Sequence, residues 1–226
     1  MPELSTSAST IRYSRSLPWL LVLALSLTSF SGCINLASNL MYAWRGNKAP
    51  AEYNGFEGKK VAIVCGTEKG LSNDATSTLM TRQLEGLLGK NVKDIKLIGQ
   101  DKIDKWLDTN GWNDSDFTEI GKGVGADQVL SISLANLTLK DGMTLYKGRA
   151  NISVTVYDIA GGGNVVYRKG FPDFEYPKLG GATVTDTSEA KFHVLFLRVV
   201  SQRIATLFYP ADPNDQFALD AISNSL

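Results

Sequence analysis

The chain has 226 residues, 23 of them basic and 23 acidic, a length that holds one domain or two small ones. Hydrophobic residues make up 43 %, which excludes a disordered chain, and the balanced charge excludes a general nucleic-acid binder, which needs a basic excess against phosphate. Two cysteines and one histidine are too few for a disulfide framework or a Cys/His zinc centre.

Residues 1–16 are polar and carry Arg12 and Arg15. Leu17 to Phe30 is uncharged and mainly apolar, and Ser31, Gly32 and Cys33 follow at once. A basic region, a short apolar region and small residues are the three parts of a secretory signal. The apolar run is shorter than the ~20 residues that a spanning helix needs. Phe30-Ser31-Gly32-Cys33 resembles the lipobox of bacterial lipoproteins, with Phe30 at the position usually held by Leu. The resemblance implies that residues 1–32 are a signal peptide that is removed. It also implies that the Cys33 thiol is diacylated and that Cys33 becomes the mature N-terminus. The domain would then sit outside the cytoplasm, tethered to the inner or the outer membrane by lipid. At ~0.8 kcal/mol per buried methylene, two or more acyl chains anchor stably where one does not. An uncleaved membrane anchor and an ordinary secreted protein are the alternatives.

Residues 33–58 read as the lipidated tether, with Pro50, Gly46, Gly55 and Gly58 as breakers. Leu40, Met41, Tyr42 and Trp44 suit either the water–lipid interface or packing on the domain. One α/β domain is expected over 59–210, and 211–226 reads as a C-terminal tail.

Within the domain, Lys60 to Cys65 is a short β-branched run that predicts a buried strand. Asn73 or Asp74 caps a helix to about Leu88, with Leu79, Met80, Leu84, Leu87 and Leu88 on its apolar face and Gly89 as its stop. Val92 to Ile98 reads as a second strand. Asp101 opens a short helix through Ile103, Trp106 and Leu107, and Asp114 or Ser115 opens another through Phe117, Ile120 and Val124. Gly121 to Asp127 has the look of a phosphate loop, but its glycines close a helix and lead into a strand. A phosphate fingerprint leaves a strand and opens a helix, so this stretch reads as a helix-to-strand joint. Gln128 to Leu139, Leu145 to Ile159 and Val165 to Phe174 form an antiparallel meander. Ala150, Ile152, Val154 and Val156 point one way, and Arg149, Asn151, Ser153 and Thr155 point the other. That polar row is either solvated or a docking surface. Tyr176 to Thr185 reads as an exposed loop. Asp186 to Glu189 has capping-box spacing before a helix to about Phe208. The fold class is therefore α/β (α+β): a mixed sheet of about five strands with helices packed on one face.

No catalytic, cofactor-binding or metal-binding residue set emerges. Cys65 ends a strand and reads as a small buried hydrophobe, since a nucleophile needs a base and the one histidine, His193, is far along the chain. Asp108, Asp114, Asp116 and Glu119 cluster, but acids at helix starts are the pattern that the helix dipole favours.

Three stretches resemble a family of envelope lipoprotein domains: Lys60 to Cys65, the joint from Ile120 to Ile132 containing Gly125-Ala126-Asp127, and the hairpin strand ending in Tyr157-Asp158. That family includes the amino-terminal domain of TolB, LpoB and the curli-secretion lipoprotein CsgG. The resemblance implies a mixed sheet with packed helices and non-catalytic work on an envelope protein partner. No enzyme activity, cofactor or nucleic-acid partner is expected, and the oligomeric state stays open. A subunit of an oligomeric secretion or channel assembly is one alternative, because strands 128–139 and 145–159 are long enough to cross a membrane. An envelope hydrolase using the clustered acids is the other.

Overall fold

Sheet pairing organises the domain around one apolar strand. The computed structural model describes residues 48–67, 70–71, 74–112, 116–212 and 214, all inside one compact unit, Lys48–Leu226. Phe30, Ser31, Gly32 and Cys33, the stretch 40–44, Asn73, Asp114, Ser115 and nearly all of the tail lie outside the described residues. The elements in order are β1 (Lys60–Thr67), β2 (Gly70–Leu71), α1 (Ala75–Asn91), β3 (Lys96–Leu97), α2 (Gln100–Asn110), α3 (Phe117–Val124), β4 (Gln128–Asp141), β5 (Leu145–Asp158), β6 (Asn164–Tyr176), β7 (Ala182–Thr183) and α4 (Glu189–Ala205).

The strands form a mixed sheet in the order β2-β1-β4-β5-β6, with β3 also on β1 and β7 also on β5. Parallel β1 and β4 run in register from Val61 opposite Gln128 to Thr67 opposite Leu134. β4, β5 and β6 make the expected antiparallel meander. The sheet has seven strands where about five were expected, because β2 and β7 are two-residue strands with no periodicity to read. β3 also keeps only two residues of the strand expected over 92–98, since a turn with Asp94 at φ 54° occupies its start.

Helices lie on both faces, which corrects the one-faced expectation. β1 alternates: Val61, Ile63 and Cys65 enter one core, and Ala62 and Val64 enter another. The first core takes Met80, Leu84 and Leu88 of α1 and Phe192, Phe196, Val200 and Ile204 of α4. These cover Leu130, Ile132, Ile152 and Val154 of the sheet. Fully buried Ser201 donates to Gln83 Oε1 (3.0 Å) and ties α4 to α1. The second core is smaller: Ile103 and Leu107 of α2 and Ile120 and Val124 of α3 close over Ala62, Val64 and Val129.

Local chemistry sets the helix ends. The Ser77 N–H donates to Asp74 Oδ1 (2.7 Å), so Asp74 is the cap of α1. Gly89 does not stop α1. The helix continues to Asn91 because Leu88 and Val92 are both drawn into the first core, and this outweighs the ~1 kcal/mol that an interior glycine costs. α4 is capped by Ser188, whose Oγ accepts from Lys191 N–H (3.4 Å), and not by Asp186. Asp186 instead accepts from the Thr183 hydroxyl (2.6 Å). The stretch read as an exposed loop is partly structural: Tyr176 is 1 % exposed, and Ala182 pairs with Tyr146. Residues 48–58, read as tether, belong to the domain. Ala49 bridges Ala211, Tyr53 N–H donates to the Leu207 carbonyl (3.0 Å), and Phe56 is fully buried against Phe208.

The glycine-rich joint is a close-packed corner. Gly125 closes α3 with φ 69°, a left-handed cap that favours glycine. A Cβ on Gly121 would run into Ile159 and Val129, and one on Gly123 into the Trp106 indole. Gly121→Ala is therefore expected to destabilise the domain by about 1–3 kcal/mol through overpacking, read as a lowered midpoint in urea at unchanged slope.

Candidate functional site: an uncovered polar sheet face

The second core stops partway across the sheet. From β4 it takes Val129, and Phe117 of α3 stacks on Tyr157 of β5 (centroids 5.2 Å, 25° between planes). Beyond this pair no described helix covers the second face. The register then sets out polar rows across three strands. Ser131 faces Thr155, which faces Arg168. Ser133 faces Ser153, which faces Gly170. Further along, Thr138 faces Arg149, which faces Glu175.

Two concavities lie on this face. A groove of roughly 530 Å³ is lined by Gly66, Thr67, Gly70 and Leu71 on one side, Phe117 and Asp116 on another, and Ser131, Ser133, Ser153, Thr155 and Tyr157 below. A smaller cleft of about 380 Å³ includes Asn136, Thr138, Arg149, Asn151, Asp173 and Glu175. Arg149 Nε holds Glu175 Oε1 at 2.8 Å while its Nη2 reaches Asp141 Oδ2 at 3.2 Å. Lys147 Nζ takes the other Glu175 oxygen at 2.9 Å. The Arg149 and then the Lys147 hydrogen bonds hold the Glu175 carboxyl below the ordinary glutamate range.

The polar row read from sequence, Arg149, Asn151, Ser153 and Thr155, is thus the floor of this face. Thr155 is the exception to its expected exposure, being only 7 % exposed inside the groove. The groove walls come from Thr67, Leu71 and Phe117, which carry no sequence signal for a site because only tertiary packing brings them together.

Other suspected residues have structural surroundings. Cys65 is buried, and burial pushes its thiol up to about 12, against a smaller opposing effect of the Thr81 hydroxyl. His193 is half-buried on α4, with Nε2 3.4 Å from Thr76 Oγ1. Asp108 accepts from the Trp112 indole N–H (2.9 Å), and Asp116 Oδ1 accepts from Thr118 N–H (2.8 Å) at the start of α3. Glu119 lies exposed in the first turn of that helix. Among the described residues no group of three or more His, Cys, Asp or Glu side chains could hold a metal ion. No described helix is long and apolar enough to cross a membrane, which says nothing of a β-barrel.

No protein-family description and no curated protein matches the sequence. Among solved structures, the chain is similar to lipoprotein GNA1162 of Neisseria meningitidis, with 12 % identity, a TM-score of 0.43 and coverage of 64 % of this chain and 97 % of that one. It is similar to the LpoB C-terminal domain of Salmonella enterica at 14 % identity and TM-score 0.37, covering 51 % of this chain and 82 % of that one. It is also similar to PelC of Paraburkholderia phytofirmans, solved as a dodecamer, at 12 % identity and TM-score 0.40, covering 71 % and 94 %. Bacterial lipoproteins are thus among the structural neighbours, and at these identities and scores they assign this chain neither partner nor chemistry.

Two outcomes follow from the electrostatics. A lowered Glu175 carboxyl contributes stability that is present above the unfolded glutamate value and is lost as pH falls through the lowered folded value. Glu175→Gln should therefore melt below wild type at neutral pH, with the gap closing in acid, in melting curves taken across pH. The Cys65 thiol should react with a maleimide in the native state no faster than the domain opens, and at once in denaturant.

Proposed function

We propose that this protein is a lipid-anchored, non-catalytic binding or assembly module of the bacterial cell envelope, and that it contacts an envelope protein through the uncovered face of its sheet. The observation that carries the reading is the contrast between faces. α1 and α4 close the whole apolar side, while the polar rows of β4, β5 and β6 are left open beside two concavities. A face of hydroxyls and paired ions that is stable in water has no need of a cover, and it offers hydrogen-bonding groups to a partner.

The anchoring half of the proposal rests on the lipobox-like Phe30-Ser31-Gly32-Cys33. From Cys33 to Lys48 is 15 residues by subtraction, a span of at most about 50 Å when extended, enough for the domain to stand off the membrane. The apolar rows of β4 and β5, which a membrane-crossing assembly would turn to lipid, face α1 and α4 here. That arrangement favours the binding module over the channel subunit.

The mature protein should begin at Cys33 with the added mass of acyl chains, and Cys33→Ala should move it from the membrane to the soluble fraction; an intact unacylated N-terminus would refute the anchor. A photocrosslinking residue placed at Ser153 or Arg168, both exposed, should capture one discrete envelope protein in cells. Absence of any adduct from both positions, with the protein folded and abundant, would refute the binding surface.

A further inference from the structure

We infer that the groove between Phe117, Tyr157 and the β1–β2 edge is a binding site for a neutral saccharide, a reading that goes beyond protein docking and stands whether or not the same face also meets a partner. The floor is a patch of four hydroxyls, with Ser133 directly opposite Ser153 and Ser131 opposite Thr155. Ser131 and Thr155 are each 7 % exposed, so both residues are held by their packed strands and their hydroxyls sit low in the groove. No hydrogen bond to another described residue takes up any of the four.

Three features select the ligand class. Every strand under the groove is already paired on both sides, β1 with β2 and β4, β4 with β1 and β5, and β5 with β4 and β6. An extended peptide adding to the sheet would find free backbone only along the outer side of the two-residue β2, too short a stretch to hold it. Recognition must come from side-chain hydroxyls, each of which both donates and accepts, and a polyol matches them in kind. The rim carries the half-buried Phe117–Tyr157 pair, an aromatic surface on which the C–H face of a sugar ring can lie. Last, among the described residues the lining holds no cation. Asp116 is the one charged residue of that described lining, and with Oδ1 taken by Thr118 N–H its second oxygen can accept from a sugar hydroxyl. An anionic ligand would meet that carboxylate with no cation among the described lining residues to balance it.

The test is calorimetric and NMR titration of the full-length detergent-solubilised protein with chitohexaose, maltohexaose and, as the anionic comparison, a hexamer of galacturonic acid. At least one neutral hexamer should bind, with amide shifts centred on Ser133, Ser153 and Tyr157, and the acidic hexamer should bind at least about tenfold more weakly (~1.4 kcal/mol). The exposed pair Ser133→Ala with Ser153→Ala should weaken the neutral hexamer about tenfold or more at unchanged melting temperature, and Asn151→Ala, outside the groove, should not. No binding by either neutral hexamer, preference for the acidic one, or insensitivity to the serine pair would each overturn the assignment. These outcomes are separate from capture of a protein at Ser153 or Arg168 in cells, so the two readings fail independently.

Discussion

The domain depends on the parallel pairing of β1 with β4. β1 is apolar on both faces, so it can exist only if both are covered, and a parallel pair needs a crossover connection to bring the chain back to the same end. The segment between the two strands, containing α1, β3, α2 and α3, is that crossover. It supplies α1 to one face and α2 with α3 to the other. Once β4 is placed, the rest of the sheet is a meander, and antiparallel strands tolerate one wet face.

This division explains why the open surface lies where it does. α2 and α3 are short, 11 and 8 residues, and they reach across β1 only as far as the start of β4 and the ring of Tyr157. α4 arrives last and closes the face already shared with α1. Among the described residues nothing remains to cover the second face of β4, β5 and β6. That face is accordingly built of Ser, Thr, Asn and paired ions, which hold their own in water. The outer edge of β6 is guarded in a similar spirit. Pro172 lacks an N–H, Asp173 sits at φ 48° with its N–H on Asn151 Oδ1, and Lys169 pairs with Glu52. Such features discourage edge-to-edge addition of another strand and leave the broad face, not the edge, as the surface for contact.

Much of this was legible from the chain alone. The alternation of Ala150, Ile152, Val154 and Val156 against Arg149, Asn151 and Ser153 showed a one-sided strand, because period two is a direct imprint of the pleat. The glycine run from Gly121 to Gly125 could be read as a joint from its place after a helix. Less could be read where tertiary contacts overrule local signals. Gly89 looked like a stop, yet buried Leu88 and Val92 carry α1 past it. β2 and β7 are too short for any period to register. Helices on both faces were hidden because Val61 to Cys65 is apolar throughout and does not tell which neighbours cover which side. The groove was invisible for the same reason. Its hydroxyl floor lies on β4 and β5, but its walls come from β1, β2 and α3, and only the fold sets them around one space.

Ala49 and Ala211 pair beside the aromatic cluster of Tyr53, Phe56, Tyr167 and Phe208, so the described domain begins at a firm point, and under the proposed function a tether joined there would leave the open face free to meet a partner. The most direct measurement compares thiol labelling in intact cells with that of the purified protein, using Ser153→Cys and Arg168→Cys on the open face and Leu179→Cys on the loop before β7. With Cys65 buried and unreactive, each rate reports its own site. If the polar face is the working surface, labelling at 153 and 168 will be slower in cells than in the purified protein while 179 is unchanged. Equal rates at 153 and 168 in both settings, or protection at 179 alone, would contradict it.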